Sequence, residues 1–483
     1  MFKNPFYKQV AKTTMTVVAI ILMTRLSFGV MFGVLGLMGA VYVSRGRTGK
    51  MVACFLLIPF MMMVNRVILP GGSMSALLSR IGQVVIVTVV ICQISLLKGS
   101  VKLPLEWLYV YCLWAFVTSI DGWFPMISYL KLINFCLFFI GIAFAVRQMQ
   151  KSDTDLNYVR NVMMALAIIM IGGSFILRFI PSVGFSMHAH QLMFDAIGFR
   201  AAVAEQGVRL FNGMTWHSQA LAPISTMFAV WVLIDMLLVE KKVTALHLGL
   251  VCIMPILLYW TSSRTGLVAF SSAMLAIWLY MLPRASLSAR TKRHMQSIFM
   301  GGLALLVAFA IVSEIRSGTM SKWLRKTATE EDTYRDTRGL LEAVTASRQG
   351  LVELNMRDYH LRPMTGMGFQ VMEWHRTGYE LGEISLWSAP IEKGVLPLMI
   401  LGETGIVGAV IFVIFLISFT YSMMRRRFVA TVTLFWTMMA TNMSEATFFS
   451  PSGAGGIIWC IAAIGGMCID VIVMRERMGL RSQ

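Results

Sequence analysis

The stretch "VMMALAIIMIGGSFIL", residues 162–177, decides what kind of fold this chain can have. It carries no charged side chain, and it lies inside a longer weakly charged segment approaching the roughly 20 residues that a helix needs to cross a bilayer. "VGAVIFVIFLISF", residues 407–419, repeats the pattern near the other end of the chain. Working outward, 57% of the 483 residues are hydrophobic and only 14% are charged. The mean hydropathy of +0.71 lies well outside the range of ordinary soluble domains. The chain is therefore read as an all-α polytopic integral membrane protein. Its first residues, "MFKNPFYKQVAKTTMTVVAIILM", offer no small-residue cleavage site and run straight into another apolar segment, so they read as an anchor rather than a signal peptide.

The seven cysteines all fall in apolar segments and none has CxxC spacing, which points neither to a disulfide framework nor to zinc. A formal charge of +18 raises the question of nucleic acid. Basic residues scattered between spans instead reflect topology and contact with anionic membrane lipids, so no nucleic-acid partner is expected.

Hydropathy divides the chain into about fourteen spans. They fall near 11–24, 27–44, 50–65, 80–97, 104–120, 126–146, 160–180, 218–239, 244–261, 265–283, 296–313, 394–421, 428–444 and 453–474. With the N-terminus inside, the alternation places Lys3, Lys8 and Lys12, Arg45, Arg47 and Lys50, Lys98 and Lys102, and Arg147, Lys151 and Arg160 on the cytoplasmic side. Lys241 and Lys242, Arg284, Arg290, Lys292 and Arg293, Arg425, Arg426 and Arg427, and Arg475, Arg477 and Arg481 fall there too. Both termini are then cytoplasmic, and "ILPGGSMS", "SIDGWFPM" and "SEATFFSPSG" are short outer turns. The expected organisation is an N-terminal bundle (1–180), an outer loop (181–217), central helices (218–313), a large helical extracytoplasmic cap (314–393), C-terminal helices (394–474) and a cytoplasmic tail (475–483). Long outer loops are where function concentrates.

Three segments carry candidate chemistry. "GVRLFNGMTWHSQALAPISTMFAV", residues 207–230, sets Arg209 and His217 ahead of a span. "TSSRTG", residues 261–266, cushions Arg264 with Ser263, other hydroxyls and a glycine. Alone, each arginine would be read as snorkelling to lipid headgroups; together they could line one anionic pocket, because a guanidinium fork fits phosphate oxygens bidentately. In the cap, "TRGLLEAVTASRQGLVELNMRDY" reads as a helix with Val344, Arg348 and Val352 on one face. The third segment, residues 363–412, runs from the glycine-rich "PMTGMGF" to Glu392 and Lys393 at the membrane surface. Glu403 follows about 12 Å deeper at helical rise. A carboxylate inside a span requires a partner or a role, and pairing with an arginine between helices is as good an account as function. Glu445, in an outer turn, either binds sugar or caps a helix. "HAH" at His188–His190 lacks a carboxylate at ligand spacing, so no metal site is expected.

Taken in order, the arginine and histidine before a span, "SSRTG" at the next outer turn, "SRQGL" and "TGMGF" in a large outer loop and "LGETGIVG" opening the following span resemble the O-antigen ligase and polymerase superfamily. Its members are bacterial GT-C type membrane glycosyltransferases. The resemblance covers residues 200–450; earlier spans match only in being hydrophobic. It implies transfer of a glycan from undecaprenyl diphosphate to a sugar hydroxyl, at the outer face of the bacterial cytoplasmic membrane, without metal, nucleotide or other cofactor. Arg209, Arg264 and Arg348 would hold the diphosphate, with Ser263, Lys393, Glu403 and Glu445 as further substrate contacts. Acceptors would be another lipid-linked repeat or exported glycan for a polymerase, and lipid A core or a protein for a ligase. A flippase and a chain-length regulator would accompany a polymerase. One departure stands out: many ligases carry a His-Asn pair shortly before the "ETG" glutamate, where this chain has Gly394 and Val395. Glu392 becomes the expected proton acceptor, with His217 second, and the balance tips towards an exopolysaccharide or O-antigen polymerase. The rival of another class is a transporter whose path is lined by Arg80, Lys131 and Glu403. No correspondence between the two halves of the chain supports it.

Overall fold

The computed structural model describes residues 5–26, 28–65, 68, 101–186, 210–215, 218–261, 263–284, 289, 292–293, 296–297, 352–353, 355–371, 395–443, 446–451 and 453–479. Helices dominate them. α1 (Pro5–Leu26), α2 (Phe28–Ser44) and α3 (Thr48–Met63) come first. α4 (Glu106–Thr118), α5 (Pro125–Met149) and α6 (Asp153–Leu177, widened by a π turn over Ile168–Gly173) follow. α7 (Ser218–Asp235) continues as a π turn to Glu240, and after it come α8 (Ala245–Trp260) and α9 (Arg264–Ala276). α10 (Leu396–Arg425), α11 (Val429–Asn442) and α12 (Ala454–Arg477) close the chain. One minimal antiparallel pairing joins β1 (Phe185–Ser186) to β2 (Leu210–Phe211).

The helical, membrane-embedded class follows the hydropathy, but the count of fourteen spans does not hold. Among the described residues, five helices are long and apolar enough to cross a membrane: Pro125–Met149, Asp153–Leu177, Ala220–Glu240, Leu396–Arg425 and Ala454–Arg477. Four apolar helices, Gly33–Ser44, Thr48–Met63, Ala245–Trp260 and Thr265–Met281, are shorter. A helix of 16 residues, such as α3, covers about 24 Å against a hydrocarbon core of about 30 Å. Hydropathy counts such shorter helices as spans, and apolar runs also continue past helix ends. Val64, as apolar as what precedes it, turns extended (φ −65°, ψ 141°) and bridges Thr215. The expected span at 80–97 and nearly all of 296–313 lie outside the described residues, as does most of the 314–393 cap.

Burial sorts the long helices. The apolar window of α7 is 94% buried, so protein surrounds it on every side. That of α10 is 44% buried. α10 exposes Ile406, Val410, Val413, Ile417, Tyr421 and Met424, spaced three or four apart, in the single stripe expected of a helix with one face to lipid.

Contacts between loops define two ends of the bundle. At one, Asp155 accepts from Thr48 Oγ1 (2.7 Å) and the Gly49 amide (2.6 Å). Arg475 bonds Asp153 and the Gln150 carbonyl. Lys241 pairs with Glu476, and Arg426 donates to the Lys102 carbonyl at 2.8 Å. This end gathers Lys and Arg residues from several of the loops that the charge alternation assigns to one side. Arg160, expected in a loop there, is instead 6% exposed within α6. Its guanidinium binds Asp235 through Nε (2.6 Å) and Nη2 (2.8 Å) and Glu240 at 2.6 Å. His247 meets the same Asp235 at 3.2 Å, so polar groups from three helices are buried because each has partners.

Candidate functional site

At the opposite end the glycine-rich loop of the cap and the "LGETG" helix are built into each other. α10 breaks at Gly405, whose φ of 65° and ψ of −170° lie in territory that only glycine occupies comfortably. A break frees backbone groups, and in a buried setting each must find a partner. Loop residues supply most of them. The Ile406 amide donates to the Pro363 carbonyl (2.8 Å), the Gly402 carbonyl accepts from Met367 N–H (2.9 Å), and the Glu403 carbonyl accepts from Gly368 N–H (3.0 Å). From α4, Trp114 Nε1 donates to the Thr404 carbonyl at 2.9 Å.

The approach is close enough to require glycine on both sides. A Cβ on Gly366 (φ +69°) would stand 2.3 Å from the Glu403 carbonyl carbon, and one on Gly405 would stand 2.3 Å from that of Met364. The loop is then tied down along its length. Met367 accepts from the Trp123 amide (3.0 Å), and Ser119 Oγ accepts from the Phe369 amide (3.2 Å). Lys131 Nζ donates to the Gln370 carbonyl at 3.2 Å. Phe369, fully buried, sits 5.4 Å from Phe449 and 5.9 Å from Phe135, which seats the loop on an aromatic floor.

Beside this junction an open hollow of about 550 Å³ is lined by Asp121, Gly122, Arg362, Pro363, Met364 and Thr365. Arg362 is exposed at its rim and donates to the Asp121 carbonyl. Beneath the junction lie Glu403 (1% exposed), Asn355 (2%) and Asp358 (3%). A Cβ on Gly402 would come within 3.2 Å of the Asn355 carbonyl oxygen and 3.3 Å of Asp358 Cβ, so a second acidic residue packs against the segment that carries Glu403. The arrangement offers an open hollow with an arginine at its rim, beside a junction at which carboxylates are buried. Among the described residues, no three metal-ligating side chains converge.

The expected site residues are only partly within reach of these observations. Glu403 is at the junction. Ser263 is the N-cap of α9, its Oγ accepting from the Gly266 amide at 3.1 Å, and Arg264 is the first residue of that helix. A cation at a helix N-terminus opposes the helix dipole by about 0.3–1 kcal/mol, so Arg264 is not placed there by helix preference. The side chain of Arg264 lies outside the described residues, as do Arg209, His217, Arg348, Glu392, Lys393 and Glu445. The expected convergence of Arg209, Arg264 and Arg348 therefore rests on the sequence alone. Arg362, Asp121, Asn355 and Asp358 were not foreseen. The available signal was "NMRDYHLRPMTG", where Asn355 and Asp358 stand three apart on a helix running directly into the glycine-rich turn. No protein-family model matches the chain, and no curated protein matches it.

Proposed function

We propose that the chain is a metal-independent GT-C type glycosyltransferase of the bacterial cytoplasmic membrane. It would polymerise undecaprenyl-diphosphate-linked saccharides at the outer face, as an exopolysaccharide or O-antigen polymerase. The observation that carries this reading is the backbone junction between the "TGMGF" loop and the "LGETG" helix break, beside an open polar hollow. These two segments, 34 to 39 positions apart in sequence by their glycines Gly366, Gly368, Gly402 and Gly405, are ones on which the family resemblance rests. The end rich in Lys and Arg is taken as cytoplasmic, which puts the hollow outside, where a flipped lipid-linked donor is presented.

In the proposed reaction an acceptor sugar hydroxyl attacks the anomeric carbon of the donor. The bond from that carbon to the diphosphate oxygen breaks, and the hydroxyl proton passes to Glu392 or, failing that, His217. Charge grows on the departing diphosphate, and Arg209, Arg264 and Arg348 stabilise it; one well-aimed donor contributes roughly 3 kcal/mol of barrier lowering. Lys131 bears on the transporter reading, since its ammonium is engaged with the Gln370 carbonyl and pins the loop to α5.

The test is made in cells that depend on this protein for a glycan product. Arg209→Ala or Arg264→Ala, at unchanged membrane abundance, is expected to abolish polymer and to accumulate lipid-linked repeat units. Polymer of normal length from both variants would refute the diphosphate clamp. Glu392→Gln is expected to keep donor binding and lose turnover; unaltered turnover moves the base role to His217.

A further inference from the structure

A second cavity, at the opposite end of the bundle from the junction, has a different chemistry. It measures about 470 Å³ and lies where the segment entering α4 meets the last turns of α5. Ile140, Ala143, Phe144 and Arg147 contribute from α5, at the three- and four-residue spacing of a single helix face. Lys102, Leu103, Leu105, Glu106 and Tyr109 close the other side. The wall is thus mainly apolar, with Lys102 and Arg147 at the charged edge. Arg426 adds positive potential next to it by bonding the Lys102 carbonyl at 2.8 Å. Among the described residues of the lining, Glu106 is the single carboxylate.

The apolar side of the groove leads onto surface that faces away from the protein. Val110, Leu113 and Val117 of α4 are 41%, 65% and 48% exposed, a face that in an embedded protein meets acyl chains. Apolar walls opening towards lipid, two cations at the edge and a nearby third match a molecule with hydrocarbon chains and a phosphodiester. The Glu106 carboxylate adds an acceptor suited to headgroup hydroxyls.

We propose that this groove binds one anionic diacyl glycerophospholipid with a hydroxylated headgroup, of the phosphatidylglycerol type. Its phosphate lies between Lys102 and Arg147, and a chain runs over Ile140 and Phe144 towards the exposed face of α4. The site is independent of the glycosyltransferase reading.

The test uses the full-length protein in detergent, equilibrated with equimolar phosphatidylglycerol, phosphatidylethanolamine and phosphatidylcholine, and counts retained lipid by native mass spectrometry. One phosphatidylglycerol is expected to be retained in preference to the other two. At about 1 kcal/mol per charge, Lys102→Gln with Arg147→Gln is expected to weaken retention about thirtyfold, with an unchanged melting temperature in phosphatidylcholine. Arg425→Gln with Arg427→Gln, which removes equal charge at the same end outside the groove, is expected to leave retention intact. Soluble glycerol phosphate is expected not to compete at millimolar concentration, because the chains supply much of the affinity. Equal retention of the three lipids, undiminished retention in the groove variant, equal loss in the control variant or competition by glycerol phosphate would each overturn the proposal.

Discussion

The two ends of the bundle are held together by different means. One end is closed by side-chain charge: Arg160 bridges Asp235 and Glu240, Asp155 receives Thr48 and Gly49, and Lys241 meets Glu476. The other is closed by backbone: a broken helix and a glycine loop exchange amide and carbonyl groups over Gly402–Ile406. Charge pairs consume the very side chains that could bind a ligand, whereas backbone bonds leave them available. Ion pairs therefore seal one end beside the groove of Lys102 and Arg147, while at the other end an open hollow lies beside the backbone junction.

The contrast can be broken by substitution, starting with the largest effect. Arg160→Met strands Asp235 and Glu240 in a buried site and is expected to cost about 3–5 kcal/mol, read as a fall in melting temperature and membrane abundance. Replacing all three charged partners by apolar groups of similar volume is expected to restore most of that loss, while the specific activity of surviving protein stays near wild type. Gly405→Ala forces a Cβ into the Met364 backbone and is expected to cost about 1–3 kcal/mol from the backbone conformation alone, plus the clash. Here transfer should fall further than stability does, because the junction shapes the hollow. Trp114→Phe leaves the Thr404 carbonyl short of a donor, for about 1–3 kcal/mol and a smaller loss of transfer. Arg362→Gln, at an exposed rim position, is expected to move stability by no more than about 0.5 kcal/mol. Its effect should appear as a raised KM for donor; an unchanged KM would remove the rim arginine from the site.

Much of this contrast could be read in the sequence in outline only. Hydropathy gave the membrane class, and the Lys and Arg pattern grouped loops that the contacts of Asp155, Arg475 and Arg426 do bring together. The span count is too high because apolar composition does not report helix length, and helices such as the 16-residue α3 fall short of the roughly 20 residues that cross a bilayer. In the sequence Arg160 looks like a loop cation, because its partners, Asp235 and Glu240, come 75 and 80 positions later. Sequence spacing cannot reveal such pairing. The motifs "TGMGF" and "LGETG" were visible as glycine-rich punctuation, yet their mutual docking depends on positive φ at Gly366 and Gly405 and on a close backbone approach, neither of which is written in residue type alone. Asn355 and Asp358 carry little signal in the sequence because an isolated polar pair on a helix is ordinarily solvated; here both are buried, packed against Gly402.

The proposed activity is the transfer of a glycan from a lipid diphosphate at the glycine-built end. The most direct measurement follows undecaprenyl diphosphate release by purified, reconstituted full-length protein supplied with lipid-linked glycans extracted from its own cells. The account predicts one undecaprenyl diphosphate released per glycosidic bond formed by the wild type, and none by Arg264→Ala of equal thermal stability. Bond formation without that release, absence of both from the wild type, or equal release by the variant would contradict it.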